Sequence, residues 1–325
     1  MDKIAALLAA EFSQKPEYVK NVISLIDEGN TIPFIARYRK EMHGSMDDQL
    51  LREISERLQY LRSLDKRREE IKSLIESQGK LTDKLVLDID EAVSLAELDD
   101  IYRPYRQKRR TRASVAREKG LEPLAQLLFA QNIKSGSLEE LAKPYVNPEK
   151  GVETETAALA GAADIIAEDI SDNAEIRKRL KELIGTNGLL ISKAAKDEDS
   201  VYSLYYDFTE PLKKLQSHRI LAINRGEKEG FLKVSVKTDE DTAIALVKSM
   251  TVRNGGISGE FVAAAAEDAY ARLIFPSIER ELRNELTEKA SEQAIKTFAL
   301  NLKPLLLQPP VKNRVALGFD PAYRT

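Results

Sequence analysis

Cysteine is absent from the 325 residues. Without it a chain has no disulfide framework, no thiolate metal site and no cysteine nucleophile, and it suits a reducing cytoplasm. Histidine is scarce: His43 and His218 stand far apart in sequence and give little material for a zinc site or a Ser/His/Asp triad. No apolar run approaches the roughly 20 residues that cross a bilayer, and the start, MDKIAALLAAEF, has an acidic residue and a helical pattern instead of a signal peptide. The expectations are a cytoplasmic protein with no membrane contact, no catalytic residue, no metal ligand and no cofactor.

Charge is abundant and nearly balanced, 50 Lys+Arg against 53 Asp+Glu for a net −3. Against that balance the stretch Tyr102 to Lys119, YRPYRQKRRTRASVAREK, holds eight basic residues, Arg103, Arg106, Lys108, Arg109, Arg110, Arg112, Arg117 and Lys119, and one acid, Glu118. A local charge of +7 repels itself, and a polyanion such as nucleic acid relieves that repulsion. Guanidinium forks suit phosphates, and Tyr102 and Tyr105 are candidates to stack on bases. The plainer alternative is a solvated loop, or a tether for the acidic run Asp83, Asp88, Asp90, Glu91, Glu97, Asp99 and Asp100 before it.

The length exceeds one ordinary core and predicts two or three lobes, and the patterning predicts a mainly α, multi-helical chain with a small β element. Lys15 to Glu28 carries Pro16 at its start and Val19, Val22, Ile23 and Ile26 on one face, and stops at Gly29. Thr31 caps a second helix that continues to Gly44, with Ile32, Phe34 and Ile35 inward and Arg37, Arg39 and Lys40 outward; the pair has the shape of a helix-turn-helix, or of an ordinary helical hairpin. Ser45 opens the longest pattern, ending at Gly79, a strut on the order of 50 Å at 1.5 Å per residue with a solvated charged face.

Short helices follow. Thr82 caps one, Ser94 to Glu97 is a capping box, Ser114 begins a turn of helix closed by Gly120, Ser137 to Glu140 is a second capping box, and Thr154 and Asp172 start two more. Near residue 200 the pattern changes: His218 to Asn224 reads as helix, residues 230–237 as strand, and RGEKEG as a turn in a smaller basic loop with none of the spacing of a phosphate-cradling glycine loop. Helices return from Asp241, with a kink or restart at Pro276 and an apolar face of Ile278, Leu282, Leu286, Ala290, Ala294, Ile295, Phe298, Leu302 and Leu305. Pro309 and Pro310 end them, and Arg314 to Phe319 reads as a strand meeting a turn at Asp320 and Pro321.

The expected organisation is 1–79, a helical region with the helix-turn-helix candidate and the strut; 80–200, a helical lobe projecting the basic loop; 201–240, mixed α/β; 241–310, long helices packing back on the amino-terminal region; and 311–325, the start of a further domain. TIPFIARYRKE (31–41), LQYLRSLDKRREEIKSLIESQGKLT (58–82), AELDDIYRPYRQKRRTRASVAREKGLEPLA (96–125), SHRILAINRGEKEGFLKV (217–234), DAYARLIFPSIERELRNELTEKASEQAI (268–295) and LLLQPPVKNRVALGFDPAYRT (305–325) together closely resemble the bacterial Tex family of transcription accessory proteins. The resemblance spans essentially the whole chain. It implies the amino-terminal helical half of a larger protein, similar in layout to the core of related eukaryotic elongation factors. A YqgF domain of RNase H-like fold follows in that family, then helix-hairpin-helix elements and a carboxyl-terminal OB-fold RNA-binding domain. It implies too that the chain ends at the turn after the first YqgF strand. Asp320 then matches the first acidic residue of RNase H-like nucleases, whose other carboxylates come from later strands, and it receives no catalytic role.

Two functions are weighed. One is a nucleic-acid-binding transcription accessory factor that contacts phosphates of RNA or single strands through Arg103, Arg106, Lys108, Arg109, Arg110 and Arg112, with Tyr102 or Tyr105 stacking and help from Arg37, Arg39 and Lys40. The other is a helical scaffold docking transcription machinery without touching nucleic acid.

Overall fold

Capping residues and glycines cut this chain into helices, and the computed structural model shows where. It describes residues 2–106, 110–196, 198–253, 255–309, 312–315 and 317–319. The protein is mainly α, and two compact units divide it: one of residues 1–111 with 172–175, the other of residues 112–171 with 176–325.

The first unit holds α1 (Asp2–Glu11), α2 (Pro16–Asp27), α3 (Ile32–Tyr38), α4 (Asp48–Glu76), α5 (Asp83–Glu91) and α6 (Leu95–Tyr102). Two apolar clusters share α4 as their spine. Val19, Val22 and Ile23 of α2 and Ile35 of α3 pack with Leu51, Ile54 and Leu58 near its start, while Ile89 and Leu98 pack with Leu64, Ile71 and Ile75 toward its end. At 1.5 Å per residue its 29 residues make a rod of about 43 Å.

Its start differs from expectation. Asp47, not Ser45, accepts from the Leu50 amide at 2.8 Å, and Ser45 takes a positive φ of 58°. The preceding helix also stops early, at Tyr38, and residues 40–45 form turns instead of continuing to Gly44. The turn is anchored internally: buried His43 places Nε2 3.1 Å from the Ile35 carbonyl, and Asn21 donates to the Met42 carbonyl at 2.9 Å. Where Thr82 and Ser94 were expected to cap, they accept from the Leu85 amide at 3.3 Å and the Glu97 amide at 3.2 Å, caps worth about 1 kcal/mol each.

The second unit holds α7 (Arg112–Glu118), α8 (Glu122–Phe129), α9 (Leu138–Ala142), α10 (Glu155–Ser171), α11 (Ala174–Asn187) from Ile176 onward, β1 (Leu189–Ala194), β2 (Asp207–Pro211), α12 (Ser217–Lys228), β3 (Leu232–Lys237), α13 (Glu240–Thr251), α14 (Ile257–Asp268) and α15 (Phe275–Leu306). One large cluster unites them, centred on Ile165, Ile166, Leu180, Ile184, Val247, Val262 and Ile278. Thr154 caps α10 through the Ala157 amide at 3.1 Å. Gly161 permits close helix packing: a Cβ there would lie 2.3 Å from Leu121 Cδ1 and 3.3 Å from Ala116 Cβ. Arg177, 1% exposed, donates to Glu281 at 2.5 Å and ties α11 to α15.

The sheet is antiparallel in the order β2-β1-β3. The strand at 230–237 and the helix from 218 are as expected; β1, inside what reads as a helical lobe, is not. RGEKEG is no separate loop, since Arg225 to Lys228 form the last turn of α12. Ser114 lies inside α7, which begins at Arg112. The second capping box does not form, because the Ser137 hydroxyl donates to the Glu139 carboxylate and leaves the helix amides uncapped.

At Pro276 the helix restarts as foreseen, after a π-helical stretch, Ala269–Ile274. The proline has no amide hydrogen for the preceding ladder, and a register change absorbs the gap. Ile278, Leu282 and Ala290 bury the expected apolar face, but from Glu292 onward every described residue is exposed, including Ile295, Phe298, Leu302 and Leu305. Lys312 and Asn313 form a turn, and the described part of 314–319 is not in a strand. Asp320 lies outside the described residues.

Candidate nucleic-acid interface

Pro104 ends α6, and Arg103–Tyr105 make one 3₁₀ turn that leads into the basic stretch. Tyr102 and Tyr105 pack against the cluster around Ile71 and Leu98. The Arg67 guanidinium lies 5.6 Å from the Tyr102 ring, and the Tyr105 carbonyl accepts from Gln78 at 2.9 Å. Both rings are half-buried members of the first unit, each keeping part of its surface open.

The cations divide by their partners. Arg103 Nε stands 3.7 Å from Asp172, whose side chain is 10% exposed. Arg117 donates to Glu168 at 2.7 Å and Asp169 at 2.6 Å. Burial works against its charge, but the Glu168 bond and the fields of Asp169 and Glu122 outweigh this and hold its pKa above the ordinary arginine value. Lys119 donates to the Gly151 carbonyl at 2.9 Å. Arg106, Arg110 and Arg112 are exposed, and none has a carboxylate partner among the described residues. Lys108 and Arg109 lie outside the described residues.

The strut's charged face stays open to solvent at Arg52 and Lys66, while other cations on it are tied to the first unit. Arg62 grips Asp27 with two bonds of 2.7 and 2.8 Å, which hold that carboxyl below the usual carboxylate range. Arg67 donates to Asp99 at 2.8 Å, Lys72 pairs with Asp90 at 2.6 Å, and Arg68 donates to the Ala92 carbonyl at 2.7 Å.

A second group of cations sits at the end of α3. Arg37 and Lys40 are exposed. Arg39 is half-buried, its guanidinium 5.2 Å from the Phe34 ring and donating to the Tyr38 carbonyl at 3.0 Å. Among these stands a residue the sequence reading passed over: Tyr38, 61% exposed, its ring tilted 45° against that of Phe34 at 5.2 Å between centroids. Its signal was present in RYRK, an aromatic bracketed by cations, but apolar periodicity assigned the inward face to Ile32, Phe34 and Ile35 and left Tyr38 unclassified. Gly44, with φ 64° and the Tyr18 ring where a Cβ would lie, turns the chain away from this corner.

Fold and surface thus define a mainly helical protein of two units in which Arg106, Arg110 and Arg112 have no carboxylate partner among the described residues. Residues 134–298 match the Tex central region-like family, and residues 2–76 match the Tex-like protein N-terminal domain. The chain belongs to the Tex family.

Among its relatives, YdcI of Bacillus subtilis is 47% identical over 323 residues, covering 98% of this chain and 45% of that protein. Transcriptional accessory protein Tex of Neisseria gonorrhoeae is 37% identical over 330 residues, 99% of this chain and 43% of that one. The human S1 RNA-binding domain-containing protein 1 is 30% identical over 337 residues, 98% of this chain and 33% of that one. The chain spans less than half the length of these curated relatives. No described helix is long and apolar enough to cross a membrane.

Proposed function

We propose that this chain is a non-enzymatic, RNA- or single-strand-binding part of a transcription accessory factor, with a helical scaffold that presents cations to phosphates. The observation that carries the reading is the exposure of Arg106, Arg110 and Arg112 without a carboxylate partner among the described residues. In the same protein other arginines are paired with acids. Two relatives, a transcriptional accessory protein and an S1 RNA-binding domain-containing protein, support the same direction. Arg37, Lys40 and exposed Tyr38 offer a second contact, with the ring as stacking surface. Arg103, beside Asp172, acts in positioning the segment.

Binding of this kind is sequence-indifferent and steeply salt-dependent. Replacing Arg106, Lys108, Arg109, Arg110 and Arg112 by serine, with Arg103 retained, lowers affinity for a labelled single strand by at least about tenfold at low salt and flattens the salt slope by about 3.5, five contacts at 0.7 each. A fluorescence titration reads both, and unchanged binding by this variant overturns the proposal.

A second reading, a docking scaffold for transcription machinery, is favoured by exposed Ile295, Phe298, Leu302 and Leu305 of α15. A pull-down from nuclease-treated lysate separates the two, because a protein partner survives digestion and an RNA-bridged one is lost.

A further inference from the structure

The small sheet of the second unit buries one face and opens the other. Leu190, Ser192, Leu232, Val234 and Val236 are buried on the core side. The alternation along each strand then assigns Lys193 of β1 and Lys233, Ser235 and Lys237 of β3 to the opposite side, all exposed. Register adds Asp207 and Thr209 of β2 to that side.

Lys193 pairs directly with Lys233 across the β1–β3 ladder. Directly opposed residues have Cβ atoms roughly 4.5–5.5 Å apart, and like charges placed so destabilise a sheet. Asp207 is opposite Lys193 on the other flank. It is one acid against three lysines, and none of the three forms an ion pair among the described residues. The far end of the face is cationic as well. Lys237 lies four positions from Lys233, roughly 13 Å at the rise of a strand. Beside it in the ladder runs Leu189 and then Pro211, and exposed Lys213 and Lys214 follow Pro211.

We propose that this open face is a separate phosphate-contacting surface that takes the backbone of a single-stranded nucleic acid. Charge complementarity selects the occupant: opposed lysines at one end and a lysine group at the other suit a linear polyanion laid along the strands. Thr209 and Ser235 supply hydroxyls between them, on either side of half-buried Ile191. No aromatic residue stands among these positions, so the contact is to phosphate and indifferent to base. The inference rests on the nucleic-acid reading of the protein, but it uses none of the residues between Arg37 and Arg112 that carry that reading.

The test titrates the 325-residue chain against a labelled oligouridine between about 50 and 200 mM salt, the range over which phosphate contacts are most visible. The variant Lys193→Gln/Lys233→Gln/Lys237→Gln is run beside the Arg106–Arg112 serine variant. The sheet variant loses about 2 from the salt slope, three contacts at 0.7 each, and roughly tenfold in affinity at low salt, while the arginine variant retains the sheet's share. Loss in the sheet variant with none in the arginine variant keeps this proposal and removes the arginine one. Unchanged affinity and slope in the sheet variant overturn it, as does binding of polyglutamate in preference to the oligonucleotide. The single substitution Lys233→Gln, which leaves the strand pattern intact, raises Tm at low salt by relieving the opposed pair, and saturating oligouridine narrows the gap to wild type. A fall in Tm overturns the like-charge premise.

Discussion

Tyr270 shows how one side chain couples burial to pH. Its ring is 3% exposed in the π-helical stretch, and its hydroxyl has no hydrogen-bond partner among the described residues. Burial, then the charges of Glu240 and Asp239, push its pKa up to about 12. The folded protein therefore keeps this proton after the unfolded chain, titrating near 10, has lost it. Its contribution is fully present below pH 10 and is lost between about 10 and 12, where stability falls by roughly 2 to 3 kcal/mol on this account. Tyr270→Phe is expected to change stability at pH 8 by less than about 1 kcal/mol, since it removes a buried hydroxyl with no partner. It is also expected to flatten the alkaline decline. Urea midpoints at pH 8 and at intervals up to 12 measure both, and an equally steep decline in the variant contradicts the assignment.

The same scale explains what could be read about the arginines. That residues 103 to 119 concentrate positive charge is visible in the letters. That Arg117 is held by Glu168 and Asp169, Arg103 stands by Asp172, and Arg106, Arg110 and Arg112 have no such partner among the described residues is not. Nothing in the side chains themselves distinguishes these arginines.

Among the elements, α15 separates periodicity from burial. Ile278 and Ile295 both lie on its apolar pattern, yet Ile278 is 0% exposed and Ile295 is 68% exposed. Ile278→Ala is expected to lose about 2 to 5 kcal/mol, transfer plus cavity, and Ile295→Ala to stay within about 0.5 kcal/mol. Chemical denaturation of the two variants measures the contrast; comparable losses would mean that the distal half of α15 is packed.

Element boundaries were legible where a single residue governs them, as with Thr82, Ser94, Thr154 and Pro276. They were misread where neighbours compete. Ser45, Asp47 and Asp48 all offer helix-start chemistry, and Asp47 takes the role. At Ser137 a carboxylate two residues on captured the hydroxyl. β1 escaped notice because Leu189–Ala194 becomes a strand only between β2 and β3, partners supplied by residues 207–237.

For the whole molecule, apolar clusters confined to each unit predict departure from a single two-state transition. Scanning calorimetry is expected to give a calorimetric enthalpy larger than the van't Hoff enthalpy. A ratio of one, with coincident near- and far-ultraviolet transitions, would show that the two units unfold as one body.

The sequence by itself determined the mainly helical class, most helix starts, the Tex resemblance and the place of the cationic stretch. Each of these is a local pattern or a collinear match, because a cap acts over three residues and a helical face repeats every three or four. Only the tertiary structure decided which cations are neutralised, which tyrosine is open and which half of α15 is buried. An ion pair forms across about 3 Å of space whatever the separation along the chain, and the acid that holds Arg117 lies 51 positions away.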